Sequence, residues 1–154
     1  MLDLFDKQTL YRAKDKEKVF DILSATKNQQ KGFFMYLHEI YTFAISLGIK
    51  NNKRPALGGK SEGIKIQTFT EDQKKFFDMV VLYDSAGNLD SLDKSLEENV
   101  HKMKKTIEEY ANGGLEIILD KIEAHPENAY NTLNLLIMKE LKTDLPEGID
   151  DDLY

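Results

Sequence analysis

Cysteine is absent from this chain. That excludes a disulfide framework, thiolate metal sites and cysteine nucleophiles, and it fits a reducing compartment. Long apolar runs are absent too. No stretch approaches the ~20 successive apolar residues that a membrane span requires. The opening MLDLFDKQTLYRAKDKEK holds no uninterrupted apolar segment of signal-peptide length. A cytoplasmic location without membrane contact is therefore the expectation. Internal repeats and low-complexity linkers are also missing, so the 154 residues read as one domain spanning 1–154. A domain of this size buries about 68–70% of the surface its unfolded chain exposes and needs no covalent staple.

Charge is unevenly placed. The net charge is −6, but residues 1–75 carry 14 Lys and Arg against 9 Asp and Glu, while residues 76–154 carry 7 against 18. A chain of this kind can present a basic face and an acidic face, each suited to a different partner.

Helical periodicity dominates. Residues 15–26 place Val19, Phe20, Ile22 and Leu23 on one stripe. Residues 33–47, FFMYLHEIYTFAISL, are apolar nearly all round, which predicts a central helix buried on several sides and ended by Gly48. The period is lost from Ile49 to Phe69. NNKRPALGGKSEG predicts a loop, and the alternation of Ile64, Ile66 and Thr68 with Lys65 and Gln67 allows a short β element over 64–69. Thr70 followed by Glu71 and Asp72 predicts an N-cap, with a helix to about Tyr83 burying Phe76, Phe77, Val80 and Val81. Ser91 is placed to cap a helix over 92–111, whose stripe runs through Leu92, Leu96, Val100, Met103, Ile107 and Tyr110. Asn112-Gly113-Gly114 is expected to stop it, and helices over 115–124 and 129–141 follow, separated by Pro126. The acidic tail 142–154 is expected to fray. The fold class is mainly α, a compact bundle of five to six helices around the 33–47 helix.

Catalytic and metal motifs fail on spacing. His38-Glu39 would begin an H-E-x-x-H zinc motif, but Thr42 occupies the second histidine position, so His38 reads as a hydrogen-bonded core or boundary residue. His101 and His125 have no partner at ligand spacing. Gly59-Lys60-Ser61 resembles the end of a P-loop, yet Arg54 stands where its first glycine must be. A calcium loop starting at Asp84 has Ala86 third and Ser95 twelfth. Glu97/Glu98 and Glu108/Glu109 read as solubilising charge on an exposed helix face, lacking the cleft that separates the pKa values of an acid–base pair. No catalytic residue, metal or cofactor is expected.

One constellation points to a ligand. Lys50, Lys53, Arg54, Lys60 and Lys65 fall within 16 residues, opposed only by Glu62, with glycines at 58, 59 and 63. Arginine can donate a paired hydrogen bond to a phosphate, lysines supply point charge, and glycine lets the backbone approach closely. These five residues are the candidate nucleic-acid contacts; the bland alternative is a mobile loop of solvated lysines. An exposed loop implies that Lys53→Glu with Arg54→Glu leaves folding intact.

Four stretches together, YRAKDKEKVFDIL (11–23), YTFAISLGIKNNKRPAL (41–57), IKIQTF (64–69) and EEYANGGLEIILDKI (108–122), resemble a family of small bacterial proteins encoded beside DNA phosphorothioation (Dnd) genes, the Dnd-system-associated protein 4 family. The matching positions are Arg12 and Lys14 to Glu17, then Phe43, Ala44, Leu47, Gly48, Arg54, Ala56 and Leu57, then residues 110–118. The YANGGLEI run is the most specific part. Segment 24–40 and the tail from 142 depart from the pattern. The resemblance implies a role in defence against foreign DNA, beside sulphur modification of the DNA backbone or a linked restriction or ATPase complex. It brings no catalytic residues with it. The expected function is a non-enzymatic accessory subunit of such a system, working with a larger protein subunit and touching DNA through the basic loop. The alternative is an adaptor or regulator of a defence-complex ATPase or nuclease that never touches DNA. The run YANGGLEI reads equally as a folding signature, with Gly114 permitting close packing and Tyr110 and Leu115 buried against the central helix. The 92–111 stripe would serve a core or a homo-oligomer seam equally well.

Overall fold

The computed structural model describes residues 3–24 and 36–143. Among them are five α-helices and a two-stranded antiparallel sheet, so the chain is mainly α with a short β element. Strand β1 (Thr9–Ala13) leads through a turn of 3₁₀ helix into α1 (Glu17–Leu23). Helix α2 (Leu37–Lys50), strand β2 (Lys60–Lys65), α3 (Glu71–Asp84), α4 (Glu97–Ala124) and α5 (Ala129–Thr143) follow in order. The part of the central helix expected over 33–35 and the tail from 144 lie outside the described residues.

Helix α4 organises the fold, with α2 packed along it and α1, α3, α5 and the sheet around the pair. Its buried positions Val100, Met103, Ile107, Ala111, Leu115, Ile118 and Ile122 recur every three or four residues, forming one continuous apolar face. The expected stop at Asn112-Gly113-Gly114 is corrected: the helices read over 92–111 and 115–124 are one. The glycines stay helical because other backbone lies where a side chain would be. A Cβ on Gly114 would sit 1.7 Å from the carbonyl oxygen of Ala44, and one on Gly113 would sit 1.9 Å from that of Lys53. Gly48 does the same from the α2 side, where a Cβ would come 2.0 Å from the carbonyl oxygen of Tyr110. The two helices therefore cross backbone to backbone. Burying both faces offsets the roughly 0.5–1 kcal/mol that each mid-helix glycine costs.

Because Gly48 belongs to this crossing, it does not end α2. The helix runs to Lys50 and closes at Asn52, which adopts φ 49°, with Lys53 N–H donating to Gly48 O (2.8 Å) and Asn52 N–H to Ile49 O (3.0 Å). That pattern satisfies the terminal carbonyls through one left-handed residue, a conformation asparagine tolerates. Thr70 does cap α3, accepting from Gln73 N–H, while the Gln73 side chain accepts from Thr70 N–H. Phe77, Val80 and Val81 are buried there and Phe76 partly so. The proposed cap at Ser91 is corrected too: Leu89–Leu92 forms a 3₁₀ turn and α4 begins only at Glu97. Leu96 is 52% exposed.

The β element lies earlier than alternation placed it. Lys60–Lys65 is the strand and Ile66–Thr68 a 3₁₀ turn. Its partner β1 escaped sequence reading. Leu10 pairs with Ile64 and Tyr11 with Gly63, and the register shifts before Ala13 meets Lys60. Leu10 and Ile64 turn into the core. Arg12, beside the shift, is buried over the Phe20 ring (4.5 Å) with its Nε 2.9 Å from a Glu17 carboxylate oxygen.

Candidate nucleic-acid interface

The loop between α2 and β2 is seated on the middle of α4. Asn112, buried in the helix, donates its side-chain amide to the carbonyl oxygens of Pro55 and Ala56, at 3.2 Å each. Gly113 leaves room for Lys53 O, and Tyr110 puts its ring under Arg54, whose guanidinium carbon is 4.8 Å from the ring centre. Residues 110, 112, 113 and 114 thus form the platform on which the loop and α2 rest.

Two of the five candidate cations are consumed by that seating. Arg54 donates through Nε and Nη2 to Glu109 (3.1 and 2.7 Å) and through Nη1 to Asp84, the last residue of α3. Asp84 in turn accepts from the Thr106 hydroxyl at 3.2 Å. Partial burial works against the Arg54 charge, but the Glu109 and Asp84 carboxylates outweigh it and hold the guanidinium above its ordinary pKa. Lys53 reaches Glu116 at 3.3 Å. The expectation of an exposed Lys53 and Arg54 is therefore corrected: both are half-buried and paired with α4. Glu108 and Glu109 are likewise no solubilising pair. Glu109 holds Arg54, and buried Glu108 accepts the Tyr11 backbone N–H at 2.7 Å. Glu97 and Glu98 are exposed as expected, close to His101 (3.8 Å) and Lys102 (3.3 Å).

Lys60 is placed differently. It is exposed at the start of β2, and its ammonium lies 5.4 Å from the centre of the Tyr11 ring. The Lys104 ammonium lies 4.7 Å from the centre of the same ring. Tyr11 is fixed at both backbone groups: its N–H by Glu108, its carbonyl by the Tyr41 hydroxyl at 3.1 Å. Next to it opens a groove of about 330 Å³ with Lys60, His101, Lys104 and Lys105 on its walls, Ala56 and Leu57 at the loop side, and Glu108 and Glu109 in its lining. Lys105 and His101 are exposed and Lys104 half-buried. Burial pushes the Glu108 carboxyl above the ordinary range, opposed by the Tyr11 N–H, Lys104 and Lys60.

Of the sequence candidates, then, Lys60 alone lines the groove. Lys50 is exposed at the C-terminal end of α2 and Lys65 at the far end of β2. Lys104 and Lys105 were missed because they lie some 40 positions further on. Their only signal is the basic run HKMKK, whose spacing puts them on the side of α4 away from Met103. His38 behaves as expected, with Nδ1 3.1 Å from the Gln73 side-chain oxygen. Among the described residues no cluster of histidine and carboxylate side chains is arranged to hold a metal, and no helix is long and apolar enough to cross a membrane.

A family model, that of DNA sulphur modification system-associated protein 4, matches residues 10–153. The chain belongs to this family. Its members are associated, by that description, with a DNA sulphur-modification (Dnd) system, which is the family the four sequence stretches pointed to. No curated protein and no solved structure matches the chain.

Proposed function

We propose that this protein is a non-enzymatic accessory component of a bacterial DNA phosphorothioation and anti-phage defence system, and that it contacts the DNA backbone through the face around Tyr11. The observation that carries this reading is the convergence of Lys60 with Lys104, Lys105 and His101 on one groove. Three ammonium groups from two separate parts of the chain give a backbone-tracking surface; Glu109 is engaged by Arg54, and Glu108, which accepts the Tyr11 N–H, offsets part of the Lys60 and Lys104 charge. Lys65, exposed at the far end of β2, would extend the charged track beyond the groove, while Lys53 and Arg54 hold the loop in place. Membership of a DNA sulphur-modification family supplies the setting.

The test is fluorescence anisotropy on labelled duplexes, with and without phosphorothioate, from 50 to 300 mM salt. Binding should weaken steeply with salt, and Lys60→Ala with Lys105→Ala should lower affinity on both duplexes and flatten the salt slope by about one unit per lost phosphate contact. The net charge of −6 favours a second reading, a protein adaptor or regulator of a partner ATPase or nuclease with no DNA contact. No binding at tens of micromolar in low salt would select it.

A further inference from the structure

A second groove lies at the other end of α4, away from Tyr11. Its volume is about 310 Å³, and the last turn of α4 and residues 132–139 of α5 form its walls. Lys121 and His125 line it from the α4 side and Lys139 from α5, and among the described residues no carboxylate lines it. Ala124, Leu135 and Leu136 are its apolar lining, with Leu136 buried and Leu135 67% exposed. An exposed leucine and two lysines thus share one groove on a chain of net charge −6.

A helix C-terminus favours cations through its dipole, which accounts for Lys121 alone. It does not account for Lys139, which lies mid-way along α5, nor for the leucine pair between them. The N-terminal turn of α5 opens onto the same groove through Thr132 and adds positive potential there. Apolar side chains with cations from both helices match a peptide segment that alternates carboxylates with large apolar side chains, which is a recurrent way for a short acidic motif to be held. A phosphate backbone would leave Leu135 and Leu136 facing a charged, hydrated ligand. A membrane surface would need more apolar area than one protruding leucine provides.

We propose that the α4–α5 groove docks an acidic, leucine-containing segment of a protein partner. The site is independent of the DNA face, so the protein would bridge DNA and a protein at opposite ends of one helix.

The probe is a fluorescein-labelled twelve-residue peptide of alternating aspartate and leucine, titrated against the full chain, with its lysine-for-aspartate counterpart as control. The acidic peptide should bind in the micromolar range and the basic one should not. Leu135→Asp, and separately Lys121→Glu with Lys139→Glu, should each weaken binding at least tenfold, with circular dichroism unchanged. Lys60→Ala with Lys105→Ala should leave it unchanged. Absence of binding at 100 µM overturns the proposal, as does binding indifferent to Leu135 or displacement of the peptide by duplex DNA or by anionic phospholipid vesicles. The chain's own residues 144–154 carry five carboxylates and no cation. If replacing Asp150, Asp151 and Asp152 by asparagine raises peptide affinity tenfold or more, the occupant is that segment and the partner assignment falls.

Discussion

The Asn112 side-chain amide spans two successive carbonyl oxygens of another segment, those of Pro55 and Ala56, 57 and 56 residues away in sequence. One buried helical side chain therefore holds the backbone of the basic loop. It explains why Y-A-N-G-G is so compact a motif: within five residues it supplies a ring under Arg54, an amide for the loop and two positions without a Cβ for the crossing.

Replacing Asn112 by leucine should therefore loosen the loop without breaking α4. The Pro55 and Ala56 carbonyls lose their partner, at a cost of about 1–3 kcal/mol if they stay buried. Chemical denaturation should show that loss. Hydrogen exchange should quicken over 51–59 and stay unchanged over 115–122.

The crossing is less forgiving. Gly114→Ala would place a methyl 1.7 Å from Ala44 O, where backbone rather than a flexible side chain must yield. Overpacking of this kind costs about 1–3 kcal/mol and sometimes more, so the melting temperature should fall by roughly 3–10 °C. The usual gain in helix propensity from Gly to Ala should not appear. A variant as stable as the parent would refute the close crossing.

Lys53→Glu with Arg54→Glu is expected to destabilise the protein, reversing what an exposed loop implied. The substitutions set carboxylates against Glu116, Glu109 and Asp84 and remove the guanidinium from Tyr110. A loss of about 1–3 kcal/mol is the scale for a broken network at a half-buried site. Consequently a DNA-binding defect in this double variant would not distinguish lost contact from lost fold. Lys60→Ala with Lys105→Ala, at exposed positions, is the cleaner pair, and its melting temperature should match the parent.

Glu108 gives stability a pH signature. Its carboxyl is held above its ordinary pKa, chiefly by burial, so the folded state favours the protonated form. Its contribution to stability is therefore most favourable at low pH and declines as pH rises from the unfolded-state value through the raised folded value. Glu108→Gln keeps an acceptor for the Tyr11 N–H without a charge. Relative to the parent it should gain stability between pH 4 and pH 8 in urea titrations. A parent advantage that grows with pH would mean that Lys60 and Lys104 outweigh burial at this site.

Periodicity along the chain determined the class of fold, the helices near 17–23, 37–50, 71–84 and 129–143, and the apolar face of α4, because one-sided burial writes a 3.6-residue repeat into local sequence. Capping chemistry at Thr70 was equally local and equally legible. Four stretches read together, with the YANGGLEI run the most specific, were enough to suggest the family. The uninterrupted length of α4 was decided only in three dimensions, since Gly113 and Gly114 carry the local signature of a stop and remain helical because another backbone lies across them. Strand β1 also depended on a partner some 50 residues away. The basic site was divided by tertiary contacts in the same manner. Lys53, Arg54 and Lys60 look alike in sequence, but Glu116 and Glu109, two turns apart on α4, engage the first two, while the third lies over Tyr11 and lines the groove. Charge is a property of a residue. Its availability depends on what the fold brings within about 4 Å of it.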